Sequence, residues 1–356
     1  MKYNKVLFVG LGGAGQRHLR ILRELMPRDT CFAAYRRTSA TPFLRPDFTV
    51  DGTKSVETEY RLRIFDSLEA SFADKPDLTV ISTPTSCHRE PMMMALAAGS
   101  SIVLEKPWAE TLTGFAKFSA GILAKKLNFL ISYQRRYHPY IARVQHALKA
   151  GVIGRPVAAS FTVYSNVPAW HAYEDWRNLY AVRSDMGGGV LLTEIHEIDL
   201  AIWFFGLPDS VFGSGGNRSS ESLSVEDTVQ MLLLYANFSV QLTLCFMHKR
   251  PCRNFHIAGT NGEIAWDGQT NMLNINAFGA SIESESDAAF SNDAMFVSQT
   301  QHFLSDWKLH DTKGALAAAM GPLAVVEAAK RSMQSGRAEK VDAGLWASLQ
   351  TKHLLP

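Results

Sequence analysis

Short apolar runs at residues 6–10, 31–36, 78–82, 101–105 and 129–133 alternate with stretches at 14–26, 88–98 and 111–124 whose apolar positions recur at helical spacing. This alternation predicts parallel β-α-β units, because a parallel strand pair needs a crossover long enough to carry the chain back. Pro27, Gly99 and Asn128 punctuate the helix ends. A helical stretch at 140–150 runs into Gly151 and the Gly154-Arg155-Pro156 turn, and the texture then changes. Residues 157–164, 228–235, 239–245, 254–259 and 263–266 mix alternation with short apolar runs, as expected of an antiparallel sheet with one covered face. Asn261-Gly262 is a hairpin turn signal, and 314–333 reads as a late helix stopped at Gly336. The pattern predicts an α/β protein. A doubly wound parallel sheet occupies 1–133, and an α+β domain with a large, mostly antiparallel open sheet occupies 134–356.

Composition narrows the function more than the fold. A chain of 356 residues suits two cores, and 46% hydrophobic against 20% charged residues is the balance of a globular protein. A net charge of +2 is no basic footprint, so nucleic acid is not an expected partner. No apolar run approaches the roughly 18 residues of a bilayer span. The opening MKYNKVLFVG leads straight into a strand rather than a signal peptide, so the expected location is cytoplasmic, away from any membrane. Cys31, Cys87, Cys245 and Cys252 form no C-x-x-C pair and no cluster with histidine, so reduced thiols and no metal site are expected.

The segment VLFVGLGGAGQRHLRIL places Gly10, Gly12 and Gly15 at G-x-G-x-x-G spacing between an apolar strand and an amphipathic helix. Gly10 permits the tight turn, Gly12 lets the backbone approach a pyrophosphate, and Gly15 allows close helix–strand packing. Gly13 and Ala14 open the helix, whose free N–H groups favour an anion. The first domain is therefore expected to be a Rossmann domain that binds a dinucleotide. At the end of the second strand stand Tyr35, Arg36 and Arg37, with no carboxylate to bond ribose hydroxyls. Two guanidinium groups followed by Thr38 and Ser39 suit a 2′-phosphate and favour NADP(H) over NAD(H). An arginine stacked on adenine beside a solvated one would also accept NAD.

The stretch STPTSCHREPMMMALAAGSSIVLEKP, ending in Glu105-Lys106-Pro107, resembles the hallmark of the Gfo/Idh/MocA oxidoreductases. QRRYHP at 134–139, GVIGRP at 151–156, GGGVLLTEIHEIDLAIWFFG at 187–206 and GTNGEIAWDG at 259–268 fit the same family, so the resemblance covers nearly the whole chain. It implies action on sugars, sugar nucleotides or cyclitols, a homodimer or homotetramer, and cofactor contacts at Thr83, Pro84, His88, Glu105 and Lys106. Lys106 ends a strand where doubly wound sheets place ligands, and Pro107 restricts its backbone. A lysine there can orient and polarise a reacting oxygen.

The resemblance also marks His196 as the proton carrier. On a helix through this segment, Thr193, His196, Leu200 and Trp203 share one stripe, and Leu191, Ile195, Ile198 and Ile202 share a core stripe. An imidazole facing away from the core is a natural acid/base. Many family members carry an aspartate three or four residues before this histidine; here Leu192 and Thr193 stand there, and Glu194, Glu197 or Asp199 is left to substitute. Trp170, His171, Tyr173, Asp175, Trp176, Arg177 and Tyr180 precede the helix in a mixture that suits a polyol and looks like a stretch found in members tied to bacterial surface sugars. Arg136, with Arg135, is expected to shape the substrate cleft alongside Trp170, Asp175, Trp176, Arg177, Thr193 and Asp199. Two rival readings share the fold: a glycosidase that oxidises transiently and re-reduces, and a dinucleotide-sensing regulator without catalysis.

Overall fold

The computed structural model describes residues 3–37, 41–280, 282–305 and 311–350. Six parallel strands form the first sheet: β1 (Lys5–Val9), β2 (Cys31–Tyr35), β3 (Arg63–Phe65), β4 (Leu78–Ile81), β5 (Ser101–Leu104) and β6 (Phe129–Ile131). Their order is β3-β2-β1-β4-β5-β6. Every residue of β4 and β5 is buried, which is why these strands read as continuous apolar runs rather than alternating ones. The order reverses between β1 and β4, and such a switch point opens a crevice at the carboxyl ends of the strands. Helix Gly13–Leu25 starts at that crevice.

Nine strands form the second sheet: β7 (Pro156–Asn166), β8 (Ser210–Gly216), β9 (Thr228–Leu234), β10 (Ser239–Cys245), β11 (Met247–Gly259), β12 (Gly262–Asp267), β13 (Met272–Ala277), β14 (Glu283–Ser286) and β15 (Glu339–Lys340). The order is β14-β13-β12-β11-β7-β10-β9-β8-β15, antiparallel throughout except for β7 with β10. Alternation decides the faces: Val229, Met231 and Leu233 of β9 are buried, while Gln230 and Leu232 are exposed. Helices His196–Phe205 and Thr312–Ser335 cover the inner face. The outer face leaves Val157, Phe212 and Leu232 to solvent.

Several elements have no clear signature in the sequence, among them strand β8 and helix Asn292–Ser305. Strand β8 reads SVFGSGG, too rich in glycine to show an apolar period. Helix Asn292–Ser305 buries Gln299 and Thr300 along with Met295, Phe296 and Phe303, so its hydrophobic stripe is interrupted. That helix returns to the first sheet: Phe303 stacks on Tyr3 at 5.8 Å, and Gln299 Nε2 donates to Ser132 Oγ at 3.1 Å. No described helix is long and apolar enough to cross a membrane.

Candidate active site

The glycine turn is built as its spacing demands. Gly10 has φ +91°, and a Cβ on it would lie 3.0 Å from the Ser82 carbonyl oxygen. A Cβ on Gly15 would lie 2.5 Å from the Gly10 carbonyl oxygen and 2.6 Å from Ser82 Oγ, so the helix rests directly on the turn. At Gly12 the opposite holds: nothing lies within 4 Å of a built Cβ, leaving backbone open to a ligand. Gly12 caps the helix without a side-chain bond, so the first N–H groups keep their donors for an anion. Phe48 and Tyr173 border the turn, since a Cβ on Gly13 would meet Phe48 Cε1 at 2.9 Å and the Tyr173 hydroxyl at 3.5 Å. The open backbone at Gly12 and the uncapped helix end fit a dinucleotide pyrophosphate.

At the end of β2 the two arginines part. Arg36 donates to Glu57 Oε1 at 2.6 Å and to the Thr41 carbonyl at 2.8 Å, so its fork is engaged within the protein. Arg37 is exposed. Thr38 and Ser39 lie outside the described residues.

The loops after β4 and β5 are tied together by His88. Its ring nitrogens each lie 2.9 Å from a carbonyl oxygen, of Thr83 and of Pro107, and burial holds the imidazole below its ordinary pKa. The tie fixes the backbone that presents Lys106. Pro84 caps the short 3-10 turn Thr85–Cys87, and Thr83 keeps a buried hydroxyl without a partner. Glu105 turns inward to His18 on the first helix, Oε1 to Nε2 at 2.7 Å. Although burial opposes it, His18 and Lys106 hold the Glu105 carboxyl below its usual range.

Lys106 and His196 meet through a break in the chain. The expected continuous helix is instead two: Val190–Thr193 and His196–Phe205. The break leaves the Thr193 carbonyl without its helical partner, and Lys106 Nζ donates to it at 2.7 Å. The stripe reading also needs correction, because residues 196–203 are all buried, polar and apolar alike. His196 stands edge-on to Tyr133, with ring centroids 5.9 Å apart. Burial and the cations Lys106, Arg135 and Arg253 drive its pKa well below the ordinary value.

Among the described residues no carboxylate bonds His196 in place of the absent aspartate, and its Nδ1 is buried and unpartnered. Asp199 faces the other way, taking Arg136 Nε at 2.9 Å and Nη2 at 2.6 Å in a buried two-point pair. Arg136 and Asp199, both expected at the substrate cleft, are thus bonded to each other across the start of this helix. Glu194 and Glu197 are taken by Arg253, Nη2 to Glu194 Oε2 at 2.7 Å and Nη1 to Glu197 Oε1. Ser165 donates a second bond to Glu194.

Arg253 and Ser165 escaped the sequence reading although a signal existed. Arg253 shares strand parity with the inward Phe255 and Ile257, and Ser165 with Phe161 and Val163. A polar residue at an inward position marks a site or a buried pair. Tyr133 was read only as a strand end; its ring is buried and its hydroxyl has no partner. Of the aromatic segment, Trp170 packs edge-on to Phe246, and Arg177 lies over Trp176 at 4.5 Å to the ring centroid. Asp175 caps the local turn by accepting from Arg177 N and is exposed, as is Arg177. Tyr173 of this segment borders the glycine turn.

With this geometry in hand, known proteins supply the comparison. Residues 4–133 match the oxidoreductase family with NAD-binding Rossmann fold, and residues 141–265 match the GFO/IDH/MocA C-terminal domain. Levoglucosan dehydrogenase of Pseudarthrobacter phenanthrenivorans is 26% identical over 226 residues, 55% of this chain and 57% of its own. D-apiose dehydrogenase of Paraburkholderia graminis is 25% identical over 187 residues, 51% of this chain and 46% of its own. The chain spans about half to two thirds of the length of the curated relatives it matches. Among solved structures, an oxidoreductase from Agrobacterium radiobacter in complex with NAD+, L-tartaric acid and magnesium superposes with TM-score 0.78 at 20% identity, covering 96% of this chain and 99% of that one. WlbA dehydrogenase from Bordetella pertussis, in complex with NADH and UDP-GlcNAcA, gives 0.77 at 17%, with coverage of 96% and 99%. At those identities the likeness concerns the fold alone.

Proposed function

The chain belongs to the Gfo/Idh/MocA oxidoreductases, and on that premise we propose that it transfers a hydride reversibly between nicotinamide C4 and a carbinol or carbonyl carbon of a sugar, sugar nucleotide or related polyol. Residues 1–133 hold the dinucleotide and residues 134–356 the substrate. The observation that carries the reading is the bond from Lys106 to the Thr193 carbonyl, which joins the end of β5 to the segment bearing His196. The curated relatives named for levoglucosan and D-apiose support a sugar-like substrate.

The nicotinamide, when bound, supplies the hydride acceptor or donor. Lys106 has two further ammonium donors with which to orient and polarise the substrate oxygen. His196 is neutral and keeps a free Nδ1, so it accepts the hydroxyl proton as oxidation proceeds. Lys106→Met or His196→Asn lowers turnover by about 10²- to 10⁴-fold, while fluorescence titration returns an unchanged dinucleotide affinity. Unaltered turnover in both variants removes this mechanism.

NADP(H) is favoured over NAD(H) because Arg37 is exposed and no acidic side chain stands at 35–37. Exposed Val157, Phe212 and Leu232 on the open sheet support assembly into a dimer or tetramer, which sedimentation equilibrium tests. A cytoplasmic protein acting on a small molecule fits the composition.

A further inference from the structure

The substrate end of the cleft has one guanidinium, Arg135, that Glu194 and Glu197 favour from a distance but that no carboxylate pairs with among the described residues. Three cations, Lys106, Arg135 and Arg253, bear on His196. Two carboxylates, Glu194 and Glu197, face them, and Arg253 pairs with both; a third, Glu105, bears on Lys106 but is bonded to His18. Lys106 donates to a neutral carbonyl. Among the described residues Arg135 forms no ion pair, and its Nε is buried with no acceptor. The next residue is a contrast: Arg136 is buried, and Asp199 meets it at two points.

Four further buried polar atoms of the same cluster lack partners: the Tyr133 hydroxyl, Thr193 Oγ1, His196 Nδ1 and Glu197 Oε2. Buried polar atoms without partners are costly, so a constellation of donors and acceptors beside a cleft marks where a ligand completes the bonding.

We infer that the substrate is a sugar acid rather than a neutral sugar, and that Arg135 receives its carboxylate. The inference rests on the hydride-transfer reading of the same cleft. A planar guanidinium fork matches a carboxylate at two points, and an excess of one cation over the facing carboxylates matches a monoanion better than a phosphate dianion. The bound charge also serves the proton carrier. Lys106, Arg135 and Arg253 all disfavour an imidazolium at His196, and a carboxylate on Arg135 offsets one of the three. The hydroxyls of Tyr133 and Thr193 remain for the sugar's own hydroxyls.

The test compares isosteres on the wild-type protein with dinucleotide bound. Thermal shift and calorimetry are run with gluco-, galacto- and mannuronate, their uronamides, the parent neutral sugars and the sugar 6-phosphates. At least one uronate raises Tm and binds at least about 30-fold more tightly than its amide. Arg135→Leu abolishes that preference and Arg135→Lys restores part of it, with the fluorescence response to dinucleotide as the check on folding. Should Arg135→Leu not fold, the acid–amide pair on the wild type still decides. Equal binding of acid and amide, tighter binding of a phosphate, silence from every uronate, or a preference that survives Arg135→Leu overturns the inference. Oxidation of neutral sugars as fast as acids removes it and leaves hydride transfer standing. Acid-selective binding with no oxidation of any compound does the reverse.

Discussion

The two ends of the cleft are made of different material. The dinucleotide end is backbone: four glycines within six residues, an uncapped helix start, and a sheet whose strand order reverses beside them. The substrate end is side chain, assembled from the ends of β5 and β6, the inner face of β7 and β11, and the break at Glu194-Ile195. A backbone site tolerates no added atom, whereas a side-chain site tolerates no missing partner. One is vulnerable to a methyl group and the other to an unpaired charge.

Removing a partner gives the largest expected effect. Arg253→Met strands Glu194 and Glu197 as buried carboxylates and costs about 3–5 kcal/mol in urea unfolding. Adding Glu194→Gln and Glu197→Gln recovers most of that loss; a single-variant cost under about 1 kcal/mol would mean that water already reaches the trio.

Acid provides the next test, concentrated at the substrate end. His138 caps helix Pro139–Lys149 by accepting from Tyr140 N at 3.2 Å. Burial, aided by Arg135, lowers its pKa to about 4, and His196 and His88 are lowered too. Unfolded histidines take up protons below about 6.5 while these stay neutral in the fold, so stability is full above that pH and falls on acidification toward 4. His138 contributes at most about 3 kcal/mol of the loss, and His138→Gln flattens the stability–pH curve by that share.

Adding an atom is the corresponding test of the dinucleotide end. Gly15→Ala overpacks the turn and costs about 1–3 kcal/mol with loss of dinucleotide binding. Gly12→Ala leaves stability within about 0.5 kcal/mol yet weakens the dinucleotide at least about 10-fold, since its methyl stands where nothing of the protein does. If both glycines behave alike, the backbone account of this end fails. The smallest effect is at Arg37: Arg37→Ala weakens NADPH about 10-fold and leaves NADH unmoved, whereas equal loss of both would assign the residue to adenine.

The same contrast explains how much was legible beforehand. Every strand of the first sheet except β3 has a local apolar signature, and the glycine turn and Lys106 each sit within a few residues of the strand that positions them. Glu194 and Asp199 were visible as candidate partners for His196, but their partners proved to be Arg253 and Arg136, 59 and 63 residues away. Helix Asn292–Ser305 stayed hidden because its buried Gln299 interrupts the apolar stripe, and the partner of its Nε2 is Ser132, 167 positions earlier.

Sequence alone determined the two sheets, the dinucleotide turn and the placing of a lysine at the mouth of the crevice, because each depends on the period or spacing of neighbouring residues. Tertiary structure alone decided which charges are paired. Electrostatic partnership is settled by distance and burial in the folded chain: Arg253, turned inward by strand parity, pairs with Glu194 and Glu197, and Arg135 has no ion pair among the described residues.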